Sequence, residues 1–302
     1  MSNANDAHGG RAPISAADLQ EWIAEWAKGV PQLTRVSPDH WRSGTDREVS
    51  YPSSAHATLG RIEADSYWFN HRNDLISTVV QRFPSRGPML DVGGGNGYVG
   101  LGLQGADVAV VVVEPGAQGV ATALDRGLPV IEAAFHHLDI PADSLPAAGL
   151  FDVLEHIEDD RAALASLYDS IEPGGMLYIS VPARSALWSA EDDFAGHYRR
   201  YSLPHLKDII SAAGFTVEYG TYFFGVLTVP VFLMRSIPSR LGASSKMNDP
   251  AAIERQHTMP TGVLGGVFRR SFARELTTIG RGGVVRTGTS CLVAARKPIA
   301  PA

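Results

Sequence analysis

The chain has 302 residues, 44% hydrophobic and 19% charged, enough apolar material for a sizeable core and too ordinary a composition for a disordered or fibrous protein. Its 26 Lys and Arg against 32 Asp and Glu leave a net charge of -6, which excludes a general electrostatic pull toward nucleic acid. A single cysteine, Cys291, excludes an internal disulfide and a cysteine-built zinc site, and fits a reducing, cytoplasmic setting.

Residues 1–12 are polar, lack the apolar stretch of a signal peptide and read as a disordered tail. Residues 13–87 read as a helical N-terminal cap. Ser15 is placed to cap a helix over 16–28, a second helical period runs over 62–83, and 36–56 between them is loop-like and rich in Ser, Pro and Gly. At Met89 the rhythm changes. Apolar runs at 89–92, 108–113, 129–131, 149–151 and 176–181 alternate with helical stretches, which predicts an α/β fold with a doubly wound, mostly parallel sheet over 88–302. Runs at 214–222 and 287–295 bring the strands to seven and are expected to pair as an antiparallel edge, with an irregular insertion over about 223–285 between them. The longest apolar run, 223–234, is interrupted by Pro230 and is too short to span a bilayer. Rimmed by Arg235, Arg240 and Lys246, it suits a cover over a site, a homodimer face or a peripheral membrane contact.

The segment Leu90-Asp91-Val92-Gly93-Gly94-Gly95-Asn96-Gly97 falls where a strand meets a helix, the place where an open parallel sheet binds ligands. Glycines there let the backbone turn tightly and a ligand lie against the main chain and the helix N-terminus. Gly93, Gly95 and Gly97 fit G-x-G-x-G. Gly95, Gly97 and Gly100 fit the dinucleotide pattern G-x-G-x-x-G, so a nicotinamide-dependent oxidoreductase stays open on glycines alone. Glu114, at the end of the next strand, can take both hydroxyls of a ribose. Asp91 sits poorly beside a pyrophosphate and suits a ligand bearing an ammonium or sulfonium cation; its alternative role is to hold loop amides.

Three further motifs come in order: Asp152-Val153-Leu154-Glu155-His156 after the fourth strand, Pro173-Gly174-Gly175 before the fifth, and Ala213-Gly214-Phe215 at the sixth. With the glycine turn they cover about 130 residues, in which the chain resembles a class I S-adenosylmethionine-dependent methyltransferase of the group that includes ubiquinone-biosynthesis O-methyltransferases. The resemblance implies a Rossmann-like sheet and S-adenosyl-L-methionine as cofactor. It sets the methionine part of the cofactor against Gly93, Gly95 and Gly97 with Asp91 near its amino group, the ribose on Glu114, and Phe151 by the sulfonium arm. Many relatives carry an acid after the third strand for the adenine amino group, where Ala134 aligns here; Phe135 is then either an apolar wall for adenine or an ordinary core residue.

In the cap, Tyr67 and Trp68 are candidate substrate contacts. Arg72, nineteen residues before Asp91, matches the arginine that holds the cofactor carboxylate in the ubiquinone-type relatives, the alternative being a surface ion pair. The loop after the fifth strand faces the substrate in this fold. There His197 is the candidate general base or a pin for the next helix, and Trp188, Arg199 and Tyr201 are candidate substrate contacts. Asp152, Glu155 and His156 resemble a divalent-metal set of some relatives, but the motif also occurs without metal, and no metal is assigned. The other histidines, His136, His137, His205 and His257, show no ligand spacing. The expected activity is methyl transfer to an O, N or C atom of a small molecule. Non-methyl chemistry at the sulfonium such as intramolecular cyclisation, a nicotinamide-dependent oxidoreductase, and a binding protein without turnover are the competing classes.

Overall fold

The computed structural model describes residues 14–44, 63–242 and 258–299; the tail at 1–12, Lys246 and His257 lie outside the described residues. Helix α1 (Ala16–Trp26) begins where Ser15 accepts the Asp18 amide while the Asp18 carboxylate takes the Ser15 N–H, a capping box. Its Leu19, Ile23 and Trp26, spaced by four and three, are buried on one face of the sheet.

The region after α1 departs from the expected loop. Strands β1 (Leu33–Ser37) and β2 (His40–Ser43) form an antiparallel hairpin, and β2 adds itself in parallel to β5 (Val130–Glu132). Short strands with Ser and Pro at their ends have little periodicity to show. The sheet edge recruits them, because buried Glu132 pairs there with His40 Nε2 at 2.9 Å and with Arg42.

Helix α2 (Tyr67–Arg82) leads into β3 (Met89–Val92), α3 (Tyr98–Gly105), β4 (Val110–Val113), α4 (Ala117–Asp125) and β5. Then come β6 (Leu145–Phe151), α5 (Asp160–Ser170), β7 (Ile171–Pro182), α6 (Ala190–Ala195), α7 (Leu203–Ala212) and β8 (Thr216–Phe223). The insertion contributes short helices α8 (Thr228–Val231) and α9 (Ile237–Arg240) and the long α10 (Gly262–Gly280), before β9 (Ser290–Arg296) closes the sheet.

Across the sheet the order is β1-β2-β5-β4-β3-β6-β7-β9-β8. The seven expected strands are β3 to β9, and the hairpin makes nine. Strands β2 to β7 run parallel, and β9 is antiparallel to both of its neighbours, so the expected antiparallel edge is present. In β3 and β4 the residues alternate between two cores: Leu90, Val92, Val111 and Val113 face α1, while Met89, Val110 and Val112 join Leu75, Ile76 and Val79 of α2. The order reverses between β3 and β6, which opens the crevice at their C-terminal ends.

The insertion folds back over α2. Phe268, Phe272, Glu275 and Ile279 form the buried stripe of α10, Tyr67 stacks on Phe272 with ring centroids 5.8 Å apart, and His71 Nε2 meets Glu275 at 2.8 Å. The cap and the insertion thus meet directly above the crevice.

Candidate functional site

The glycine turn joins β3 to α3. Gly93, Gly95 and Gly97 all have positive φ, a region that L side chains enter at a cost. At Gly97 a Cβ would also come within 2.6 Å of Leu128, and at Gly93 within 2.9 Å of Val153, so the turn and the elements around it require glycine. Glu114 closes the turn from the next strand. Its Oε2 accepts the Gly95 amide at 3.0 Å and its Oε1 the Gly116 amide at 2.6 Å. The carboxylate thus stands at the end of β4 beside the glycine turn, where an acceptor of hydroxyl hydrogens would meet a ribose diol.

Asp91 ends up beneath the turn, buried, and its Oδ2 has no hydrogen-bond partner. Burial pushes its carboxyl up to about 7, against the nearby charge of Arg72, with Glu114 adding to the rise. The Gly100 amide and Arg72 offset part of that rise, and the partnerless Oδ2 beneath the turn is the acid's contribution to the site.

Arg72 rises from α2 into the same space. It forms an ion pair with Asp152 at 2.8 Å, donates from Nη2 to the carbonyl of Phe151 at 2.8 Å and lies over the Trp68 ring. The pair is buried, not on the surface, and it fixes the guanidinium at the end of β6. Asp152 has φ +58°, a strained setting held by Ser180, whose hydroxyl donates to its Oδ1. The Phe151 ring folds back over Gly149 into the core, so its carbonyl and not its ring faces Arg72. Phe135 is half-buried on the turn after β5 and packs against the core.

On the far side of the crevice Glu155, His156 and His197 converge, with one ligand atom of each within 4.8 Å of the others. Both Glu155 oxygens are buried without a hydrogen-bond partner, and burial together with Asp152 holds this carboxyl well above its ordinary range. Burial and neighbouring His197 push His156 down to about 4, so it is a neutral imidazole at working pH. One carboxylate and two imidazoles suit a divalent cation, and the partnerless Glu155 oxygens fit one.

His197 is oriented by Asp192, a residue that sequence reasoning passed over in an acidic run. Asp192 is fully buried and accepts from His197 Nδ1 at 2.8 Å, Arg200 Nε at 2.7 Å and the Ser189 amide at 2.8 Å. Burial pushes its carboxyl up, but the hydrogen bonds from His197 and Arg200 outweigh that and hold it below its ordinary value. The signal available was Ser189-x-x-Asp192, a capping box at the start of α6. A second missed group clamps the turn from outside: Arg126 donates to the Asn96 carbonyl and pairs with Glu63, which also accepts from Asn96. Nothing in the spacing of Glu63, Asn96 and Arg126 announces it.

Three expected substrate contacts are held elsewhere. Tyr201 is fully buried, its hydroxyl 2.9 Å from Asp160, and Arg199 pairs with the same carboxylate at 2.8 Å; together they pin the segment before α7 to the start of α5. Trp188 donates from Nε1 to Asp193 in the following helix, α6. Tyr67 and Trp68 do converge above the crevice, Trp68 stacked on Phe224 at 5.4 Å.

A family model described as a methyltransferase domain matches residues 65–219, just over half of the chain. The chain belongs to the methyltransferase-domain family. A probable S-adenosylmethionine-dependent methyltransferase of Mycolicibacterium smegmatis is 25% identical over 173 residues, 55% of this chain and, just under two thirds, 66% of the relative. Two solved structures share the fold. The cyclase SpnF has TM-score 0.52 and 18% identity over 85% of this chain and 100% of its own. Phosphoethanolamine N-methyltransferase 2 of Haemonchus contortus, solved with S-adenosyl-L-methionine, has TM-score 0.50 and 16% identity over 83% of this chain and 58% of its own. The cofactor of the methyltransferase domain is S-adenosyl-L-methionine, and the residues fit it: a glycine cradle with no room for Cβ atoms, the Glu114 carboxylate at the end of β4 and the buried Asp91 Oδ2 with no hydrogen-bond partner beneath the turn.

Proposed function

We propose that the protein transfers a methyl group to a small-molecule acceptor, with His197 as the base that takes the acceptor's proton. The carrying observation is the His197–Asp192 pair. An ionised, fully buried Asp192 accepts from Nδ1, which fixes the tautomer and leaves the Nε2 lone pair as the acceptor of a proton. Bound S-adenosyl-L-methionine supplies an electrophilic methyl group on a sulfonium. Glu114 holds the ribose, the main chain at Gly93, Gly95 and Gly97 lines the methionine part, and Arg72 has its Nη1 edge left for the carboxylate. Asp91 balances positive charge from below. The cap residues Tyr67 and Trp68 wall the acceptor, and much of the rate enhancement comes from holding acceptor and donor in line. Hydroxyl and amine acceptors both suit this arrangement.

A second reading is favoured by Glu155. With both oxygens partnerless, it makes a divalent cation held by Glu155, His156 and His197 the alternative means of ionising an acceptor hydroxyl, with His197 a ligand in place of a base. Turnover of a hydroxyl and amine acceptor panel, scored by S-adenosylhomocysteine release from wild type and His197→Asn, with and without EDTA, tests both. Loss of turnover in His197→Asn with no effect of EDTA supports the base. Loss in EDTA restored by Mg²⁺ or Mn²⁺ supports the metal, and full turnover of His197→Asn in either condition refutes both.

A further inference from the structure

We propose that the lobe formed by α8, α9 and the N-terminal half of α10 is a docking surface for an anionic lipid bilayer. Thirteen large hydrophobic side chains of the described residues are exposed, and seven of them lie between residues 229 and 267, with Met234, Leu241 and Val263 at 76%, 79% and 87% exposure. A concentration of this kind on one lobe marks an interaction surface, whereas single exposed apolar residues do not. The residues follow from helix geometry. The buried stripe of α10 packs on α2; Val263 lies on the opposite face and Val267 at the flank, while Leu264, four residues before Phe268, prolongs the stripe where it is exposed.

Charge selects the occupant. In the described parts of the insertion, residues 224–242 and 258–283, there are six arginines, of which Arg235, Arg240, Arg269 and Arg270 belong to the lobe and Arg274 and Arg281 lie beyond it, and one acid, Glu275. Glu275 is buried against His71 and the amides of Phe224 and Gly225, so it cancels nothing at the surface. Arg235 pairs with Glu191; no described ion pair involves the other five. A basic, apolar lobe on a chain of net charge -6 is complementary to lipid headgroups that carry negative charge over an apolar interior. The patch also continues inward: Tyr67 packs on Phe268 and Phe272, Phe272 on Phe224, and Phe224 stacks on Trp68 beside Arg72. Docking itself does not depend on the methyl-transfer reading, and its test involves no turnover.

The test is co-sedimentation of the full chain with vesicles of pure phosphatidylcholine and of phosphatidylcholine with phosphatidylglycerol. The expected result is partition to the anionic vesicles that weakens steeply with salt, with little binding to the neutral ones. Arg269→Ala with Arg270→Ala lowers the partition about thirtyfold. Met234→Asp with Val263→Asp abolishes it at an unchanged thermal midpoint, since both side chains are exposed. No binding to anionic vesicles overturns the proposal, as does equal binding to neutral ones. A dimer in light scattering that Met234→Asp dissociates also overturns it, because a second copy then covers the patch.

Discussion

Replacing Glu114 by alanine separates the carboxylate's two tasks. In the protein its oxygens accept the Gly95 and Gly116 amides, and in the proposed function the same carboxylate takes the two ribose hydroxyls. Each charge-assisted bond to a hydroxyl is worth about 1.5 kcal/mol at the low end of the usual range, so Glu114→Ala loses about 3 kcal/mol of cofactor binding, ~150-fold in Kd. The two stranded amides cost a further ~2 kcal/mol of stability, or about 4 °C in thermal midpoint for a chain of this size. Glu114→Gln keeps one acceptor oxygen but turns an amide NH₂ toward N–H groups, so it lies between, at roughly tenfold. Isothermal titration with S-adenosylmethionine and S-adenosylhomocysteine reads the first quantity and differential scanning fluorimetry the second. A folded Glu114→Ala that binds S-adenosylhomocysteine within about threefold of wild type would refute the assignment, and tight binding of NADH in its place would refute the cofactor.

Asp91, raised to about 7, holds a proton in the folded chain that the unfolded chain has already lost above about pH 4, so its contribution to stability fades as pH rises through 7. Asp91→Asn is therefore expected to stabilise the ligand-free protein at pH 8, by up to about 4 kcal/mol, and to weaken binding of the cationic cofactor. In wild type, calorimetry in buffers of different ionisation enthalpy should show proton release on S-adenosylmethionine binding near pH 6 that is lost in Asp91→Asn. His197→Asn should lower kcat by about 10²–10⁴-fold with cofactor affinity within threefold, and Asp192→Asn should lower it while also reducing the thermal midpoint, because Arg200 and His197 both lose their partner. On the metal reading, Mn²⁺ raises the thermal midpoint of wild type and not that of Glu155→Gln; no shift in wild type, or equal shifts in both, removes that reading. Glu275→Ala strands His71 and two backbone amides and should cost about 3 kcal/mol or more, with faster hydrogen exchange concentrated in α10.

The parts of the fold legible in the sequence are those where local pattern and tertiary role coincide. The β3 and β4 runs are apolar because both faces are buried, and the glycine turn is glycine because its φ angles and neighbours demand it. The hairpin of β1 and β2 was not legible, since its existence depends on Glu132, some ninety residues away, offering a partner to His40 and Arg42. Strand β6 was foreseen only at its last three residues. Its first half, Leu145-Pro146-Ala147-Ala148, has poor strand propensity and is a strand because β3 and β7 flank it.

The site divides along the same line. Residues whose roles rest on backbone geometry, Gly93, Gly95 and Gly97, stand where the motif puts them, whereas charged residues were assigned by the ligand they could hold, before the chain's own demands on them were known. Arg199 had the right chemistry for an anionic substrate and is engaged by Asp160; Arg72 had the right chemistry for a carboxylate and already carries one from Asp152. A buried ion costs several kcal/mol unless it is paired, so the fold supplies partners to most of its charges and leaves few unmatched. The informative exceptions are then the buried acids left with an oxygen that has no hydrogen-bond partner. Asp91 under the glycine turn and Glu155 beside His156 and His197 are two such acids among the described residues; the first lies near the end of β3 and the second follows β6, the two strands between which the sheet order reverses. No spacing rule could separate them from Asp152 or Glu114, which have the same chemistry and are satisfied, because the distinction is made only when distant elements have packed.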